Sequence, residues 1–151
     1  VTALLAVDLG LRTGLAVFGD DGRLLRYRSQ NFGTVGRLKR AAWGEIASVE
    51  GLAGLVVEGD TGLARVWARV AERSDARVFV IQAGRWRKAL LTPKERRSGP
   101  LAKASAGVLA RRIVAASGLP RPKALRHDAA EAICIGWWGV GEMGWDRPAL
   151  P

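Results

Sequence analysis

Five apolar residues, Ala3-Leu4-Leu5-Ala6-Val7, run into a single carboxylate, Asp8. Across a short turn bracketed by Gly10 and Gly14, a second apolar run, Leu15-Ala16-Val17-Phe18, leads away. A continuous apolar run bounded by glycines fits a strand buried on both faces. An acid at the end of such a strand stands at the rim of a sheet, where ligands bind in open α/β folds. A strand-end Asp can equally open a polar hairpin turn. The pattern then recurs. Leu52-Ala53-Gly54-Leu55-Val56-Val57 is a second apolar run, and it too ends on an acid, Glu58. Between the two lies a segment with Thr34 as cap and Val35, Leu38, Ala42, Ile46 and Val49 at helical spacing. A strand, a helix and a second strand of this kind make a parallel crossover, which sets Glu58 beside Asp8.

The remaining segments complete the sheet. Asp20-Asp21-Gly22 is a turn, and residues 23–31 read as a third, half-exposed strand, closing an antiparallel meander. Residues 63–73 carry Leu63, Val66, Trp67 and Val70 on one helical face, and residues 78–81 form a short fifth strand. The sequence thus predicts an α/β fold: a mixed five-stranded sheet, with an antiparallel three-strand meander, parallel crossover strands and helices on both faces. At 151 residues it is expected to be one domain. Residues 92–100 read as a polar loop, 101–116 as a helix, and 127–138 as the last helix. Residues 139–151, rich in Gly and Pro, read as a loose tail.

Charge is unevenly placed. Residues 76–127 hold thirteen Arg and Lys against one acid, Glu95, within a chain of net charge +10. The positive excess therefore belongs to one third of the chain, which favours a polyanion such as nucleic acid. Candidate phosphate contacts there are Arg85, Arg87, Lys88, Lys94, Arg96, Arg97, Lys103 and Arg111, with Arg12 in the opening turn. Lys103 and Arg111 fall on one helical stripe, about 12 Å apart by helix rise. Trp86, set among Arg85, Arg87 and Lys88, is either a stacking platform for a base or core packing. Trp137 and Trp138 point about 100° apart on a helix and read as one core and one interface residue. Cys134 faces the core. No apolar run approaches the ~20 residues of a membrane span, and a lone Cys gives no disulfide framework. A reducing compartment follows: a cytoplasm, bacterial or phage-encoded, or an organelle after loss of a transit peptide, since the numbering starts at Val rather than Met.

A third acidic feature is Arg126-His127-Asp128-Ala129-Ala130-Glu131-Ala132. Asp128 and Glu131, three apart, share a helix face, and the small alanines let this helix approach a sheet. First-turn acids can also simply cap a helix. Set opposite Asp8 and Glu58, however, they complete an oxygen-rich pocket. Clustered carboxylates repel one another, so such a pocket calls for cations, and oxygen ligands suit Mg²⁺ or Mn²⁺. Two such ions, roughly 3.5–4 Å apart, can activate water and stabilise a leaving oxygen.

The segments Asp8-Leu9-Gly10-Leu11-Arg12-Thr13-Gly14, Val56-Val57-Glu58 and His127-Asp128-Ala129-Ala130-Glu131-Ala132 together resemble the motifs of RuvC-type Holliday-junction resolvases, of the RNase H-like superfamily. The order of elements is similar over nearly the whole chain. The resemblance implies a homodimer that nicks a four-way DNA junction symmetrically. It implies that Asp8 bridges two metal ions, with Glu58, Asp128 and Glu131 completing the ligand set, or His127 in place of Asp128. Lys103 would then serve catalysis beside the scissile phosphate. The chain departs from the family in having Glu131 where Asp is usual and Thr61 where bacterial members carry an aromatic. Asp60 is a further candidate ligand or an exposed turn acid. Residues 63–73 are the expected dimer interface. An RNase H-like nuclease for structured RNA, as in the YqgF group, and an inactive junction-binding module are the alternatives.

Overall fold

The computed structural model describes residues 2–151. The element order is β1 (Ala3–Asp8), β2 (Arg12–Gly19), β3 (Leu24–Asn31), α1 (Val35–Ala47), β4 (Leu52–Glu58), α2 (Thr61–Glu72), β5 (Arg77–Ile81), α3 (Ala83–Leu90), α4 (Gly99–Ala116) and α5 (His127–Glu142). The five strands form one mixed sheet in the order β3-β2-β1-β4-β5. β1 to β3 are antiparallel, while β4 and β5 run parallel to β1. The expected sheet is therefore present, with every strand in its expected place.

The alternation along each strand divides the core in two. Leu5, Val7, Leu15, Val17, Leu55 and Val57 meet α1 and α2 through Leu38, Ala42, Ile46, Trp67 and Val70. Leu4, Ala6, Ala16, Phe18 and Val56 face the other way and meet α4 and α5. α5 lies directly on this second face, and two glycines allow it. A Cβ at Gly136 would overlap the Phe18 ring, and one at Gly139 would press into Val56 and Leu4. α4 packs on α5 through Ala102, Ala106, Ala110, Ile113 and Val114. Cys134 Sγ donates to the Ala106 carbonyl, and lower down Ser117 Oγ accepts from the Leu24 amide at the start of β3. The N-terminus of α5 lies at the end of the sheet where β1 and β4 stop, with Asp128 against Gly14 and Ser29.

Several expectations need correcting. Val35 is exposed, so the apolar face of α1 begins at Leu38. α2 starts at Thr61, earlier than its apolar stripe, because Asp60 caps it by accepting from the Leu63 amide. On the α2 stripe, Trp67 and Val70 are buried against the sheet, while Leu63 and Val66 remain partly exposed. Residues 139–151 are not loose. α5 continues to Glu142, Met143, Trp145 and Leu150 pack on the core, Arg147 donates to the Trp137 carbonyl, and Arg112 donates to Pro151. Trp137 and Trp138 are both core residues, the latter edge-on to Phe79. No described helix is long and apolar enough to cross a membrane.

Candidate metal centre

One transverse row of the sheet carries the site. The register aligns Ser29 on β3, Gly14 on β2, Asp8 on β1, Glu58 on β4 and Ile81 on β5. Directly paired residues project to the same face, here the face under α5. Gly14 explains how the helix reaches that row: a Cβ there would overlap the Asp128 carbonyl. The absence of a side chain between Asp8 and Ser29 lets the first turn of α5 settle onto β2. The strand ends are pinned by the Leu9 amide, 2.8 Å from the Glu58 carbonyl. Thr13, buried, closes the β1–β2 turn by donating to the Gly10 carbonyl at 2.6 Å, so Asp8 is left free of turn duty.

The four predicted acids fall into two kinds of surroundings. Asp8 and Glu58 face each other as parallel neighbours. Burial, then the Glu58 carboxyl within hydrogen-bonding reach, and then the charges of Glu131 and Asp128 push the Asp8 carboxyl up to about 9. At neutral pH this pair therefore holds a proton that two separate carboxylates would have lost. Asp128 does not cap its own helix; its carboxylate accepts from the Ser29 hydroxyl. Glu131 is only 4% exposed and pairs with Arg87, Nη2 to Oε1 at 2.9 Å, with His127 Nε2 at 3.4 Å from the same oxygen. His127 thus stands against Glu131 and is half exposed.

These donors suit a hard divalent cation. The raised Asp8 is the relevant observation, because a cation between Asp8 and Glu58 would replace the shared proton and relieve the repulsion. Asp8, Glu58 and Asp128 are the acids that could serve it, while one oxygen of Glu131 is taken by Arg87 and His127. Among the described residues, no three or more acid, His or Cys side chains are grouped so that they could hold a metal ion as they stand. Asp60 belongs to the α2 cap.

The cations sort by burial. Arg12, Arg85, Lys88, Lys94, Arg96, Arg97, Lys103 and Arg111 are exposed, and among the described residues none of them makes an ion pair. Lys103 lies one turn before Ala106, whose carbonyl accepts from Cys134 on α5. Arg111, further down, donates to the Pro122 carbonyl. Arg87 differs from the other basic candidates, since it turns inward to Glu131. Trp86 is fully buried in the core, so it offers no face to a base. Cys134 is buried and its thiol is pushed up, chiefly by that burial. Sequence reasoning missed Ser29 and the inward role of Arg87. Ser29 could have been found from its register opposite Gly14. Arg87 looked like one of many cations.

No family profile matches the chain, and none of the curated proteins matches it.

Proposed function

We propose that this chain is a divalent-ion-dependent, structure-selective endonuclease of RNase H-like architecture that cuts four-way DNA junctions, as a homodimer placing two sites symmetrically. The observation that carries this reading is the in-register pair Asp8 and Glu58, one carboxyl raised to about 9, with Asp128 laid over them by α5. The sheet order β3-β2-β1-β4-β5 supports the same reading. So does the exposed basic surface on α3, α4 and the loop between them.

When bound there, Mg²⁺ or Mn²⁺ supplies an activated water and offsets charge on the phosphate. The chain's own residues do the rest. Asp8, Glu58 and Asp128 would hold the ion, and Ser29 fixes the Asp128 carboxylate by its hydroxyl. Lys103, in the N-terminal half of α4, would face charge that develops on the scissile phosphate. Arg85, Lys88, Lys94, Arg96 and Arg97 hold the DNA arms through their phosphates. Two-fold symmetry of the substrate calls for a two-fold pair of chains.

The test is incubation with Mg²⁺ and labelled four-way junction, linear duplex and structured RNA. Paired nicks confined to the junction are the expected result. Cutting of RNA alone, or tight junction binding without any cutting, would overturn the reading.

A further inference from the structure

The pair of buried Glu131 and half-buried Arg87 does not fit a set of four equivalent ion ligands. A buried carboxylate needs a partner, and Glu131 has one in the Arg87 guanidinium, with His127 beside the same oxygen. A carboxylate already holding a fixed positive charge is a poor ligand for a second cation, because the two cations repel. Arg87, for its part, is built in rather than free. Its guanidinium carbon lies 5.4 Å from the ring centre of the buried Trp86. Its Nε is buried and has no acceptor among the described residues, yet a quarter of the side chain remains open. Such a guanidinium is braced from behind and tied to an acid on one edge. Its Nε is enclosed by the protein, so the open quarter of the side chain is what an incoming phosphate oxygen can meet, at the margin of an acidic pocket. That is the arrangement of a fixed phosphate contact, for which the planar fork of arginine is suited.

We infer that Glu131 is the counter-ion of Arg87 and not a ligand of the catalytic ion, and that Arg87 takes the oxygens of the phosphate being cut. This rests on the nuclease reading above and divides its acids into two groups. Asp8, Glu58 and Asp128 serve the ion, and Glu131 serves the guanidinium. Glu131 is thus a positioning residue, acting on the substrate only through Arg87.

The experiment measures Mn²⁺ binding by calorimetry and single-turnover junction cleavage at saturating Mn²⁺ on the same proteins. The key variant is Arg87→Gln combined with Glu131→Gln, which keeps the net charge of the chain and leaves two amides able to bond each other. The expected result is a Mn²⁺ affinity within about threefold of the wild type and cleavage at least about tenfold slower. Asp8→Asn should instead lose Mn²⁺ affinity by more than about tenfold. Arg87→Lys, which keeps the charge and the ion pair but loses the fork, should fold, bind Mn²⁺ normally and cleave more slowly. Should the double variant lose Mn²⁺ as Asp8→Asn does, Glu131 is a ligand and the inference is overturned. Full-rate cleavage by Arg87→Lys and by the double variant would reduce the pair to a brace and overturn it equally. A wild type that binds no Mn²⁺ would overturn the nuclease reading itself, and the inference with it.

Discussion

At the scale of the residue, Asp8 is the most informative group in the chain. Its carboxyl is raised by burial first and by Glu58 second, so the folded state holds its proton more tightly than the unfolded state does. The sign follows from proton linkage. Stability from the protonated carboxyl is fully present below the ordinary carboxylate range and is lost as pH rises through about 9. In chelator, the melting temperature of the wild type should therefore fall relative to that of Asp8→Asn as pH is raised from 5 to about 9, and Mg²⁺ should reverse the difference. Parallel melting curves at every pH would show that the pair carries no such repulsion. Lys103 and Arg111 make a second test at this scale. Both are exposed on α4, Lys103 in its N-terminal half and Arg111 two turns further on. Lys103→Ala should slow single-turnover cleavage at saturating enzyme by about tenfold or more, since it removes a cation facing transition-state charge. Arg111→Ala should weaken binding and leave that rate nearly unchanged. Equal effects on binding with no rate defect in either would make the stripe an anchor only. The acids were legible in the sequence because each closes an apolar run or opens a helix. Arg87 was not, because an inward arginine and an outward one look the same in a list of charges.

At the scale of the element, α5 decides whether the site assembles. Its first turn can reach β2 only because Gly14 has no side chain, and its body can lie on the sheet only because Gly136 and Gly139 have none. Gly14→Ala should force the Asp128 carbonyl away, costing about 1–3 kcal/mol in overpacking and displacing Asp128 from Ser29. Divalent-ion affinity should fall together with stability. Unchanged ion binding in that variant would mean that α5 does not place a ligand. The elements themselves were legible because their periodicities are strong. Strand ends at Asp8 and Glu58 fell where expected, since the apolar runs stop there. The start of α2 was displaced because a cap, Asp60, outweighed the beginning of the apolar stripe. The extent of α5 was hidden because Gly139 and Gly141 look like breakers. Burial against Val56 and Leu4 overrides the weak helix propensity of glycine at Gly139. On α2 the stripe is divided, with Trp67 and Val70 covered by the sheet and Leu63 and Val66 partly open, a division that helical spacing alone does not reveal.

At the scale of the whole molecule, charge and topology agree. The acids gather at one end of the sheet, and the cations of residues 76–127 lie on the helices and loop that follow β5. Binding of duplex arms should therefore fall steeply with salt, with a slope of about −0.9 per phosphate contacted. Arg111→Ala should flatten that slope by about one unit per chain. A slope near zero in the wild type would remove nucleic acid from consideration. The C-terminal segment was misread at this scale. Its Trp145 and Leu150 return to the core, its Arg147 reaches back to α5, and its last carbonyl accepts from Arg112 on α4, contacts that composition alone cannot announce. The most direct test of the central claim, that Asp8 and its neighbours form an ion-dependent cutting centre, is cleavage and binding of a labelled four-way junction by the wild type and by Asp8→Asn in Mg²⁺. Cleavage by the wild type, with cutting abolished and binding retained in Asp8→Asn, is the predicted result. Near-normal turnover by Asp8→Asn would contradict it.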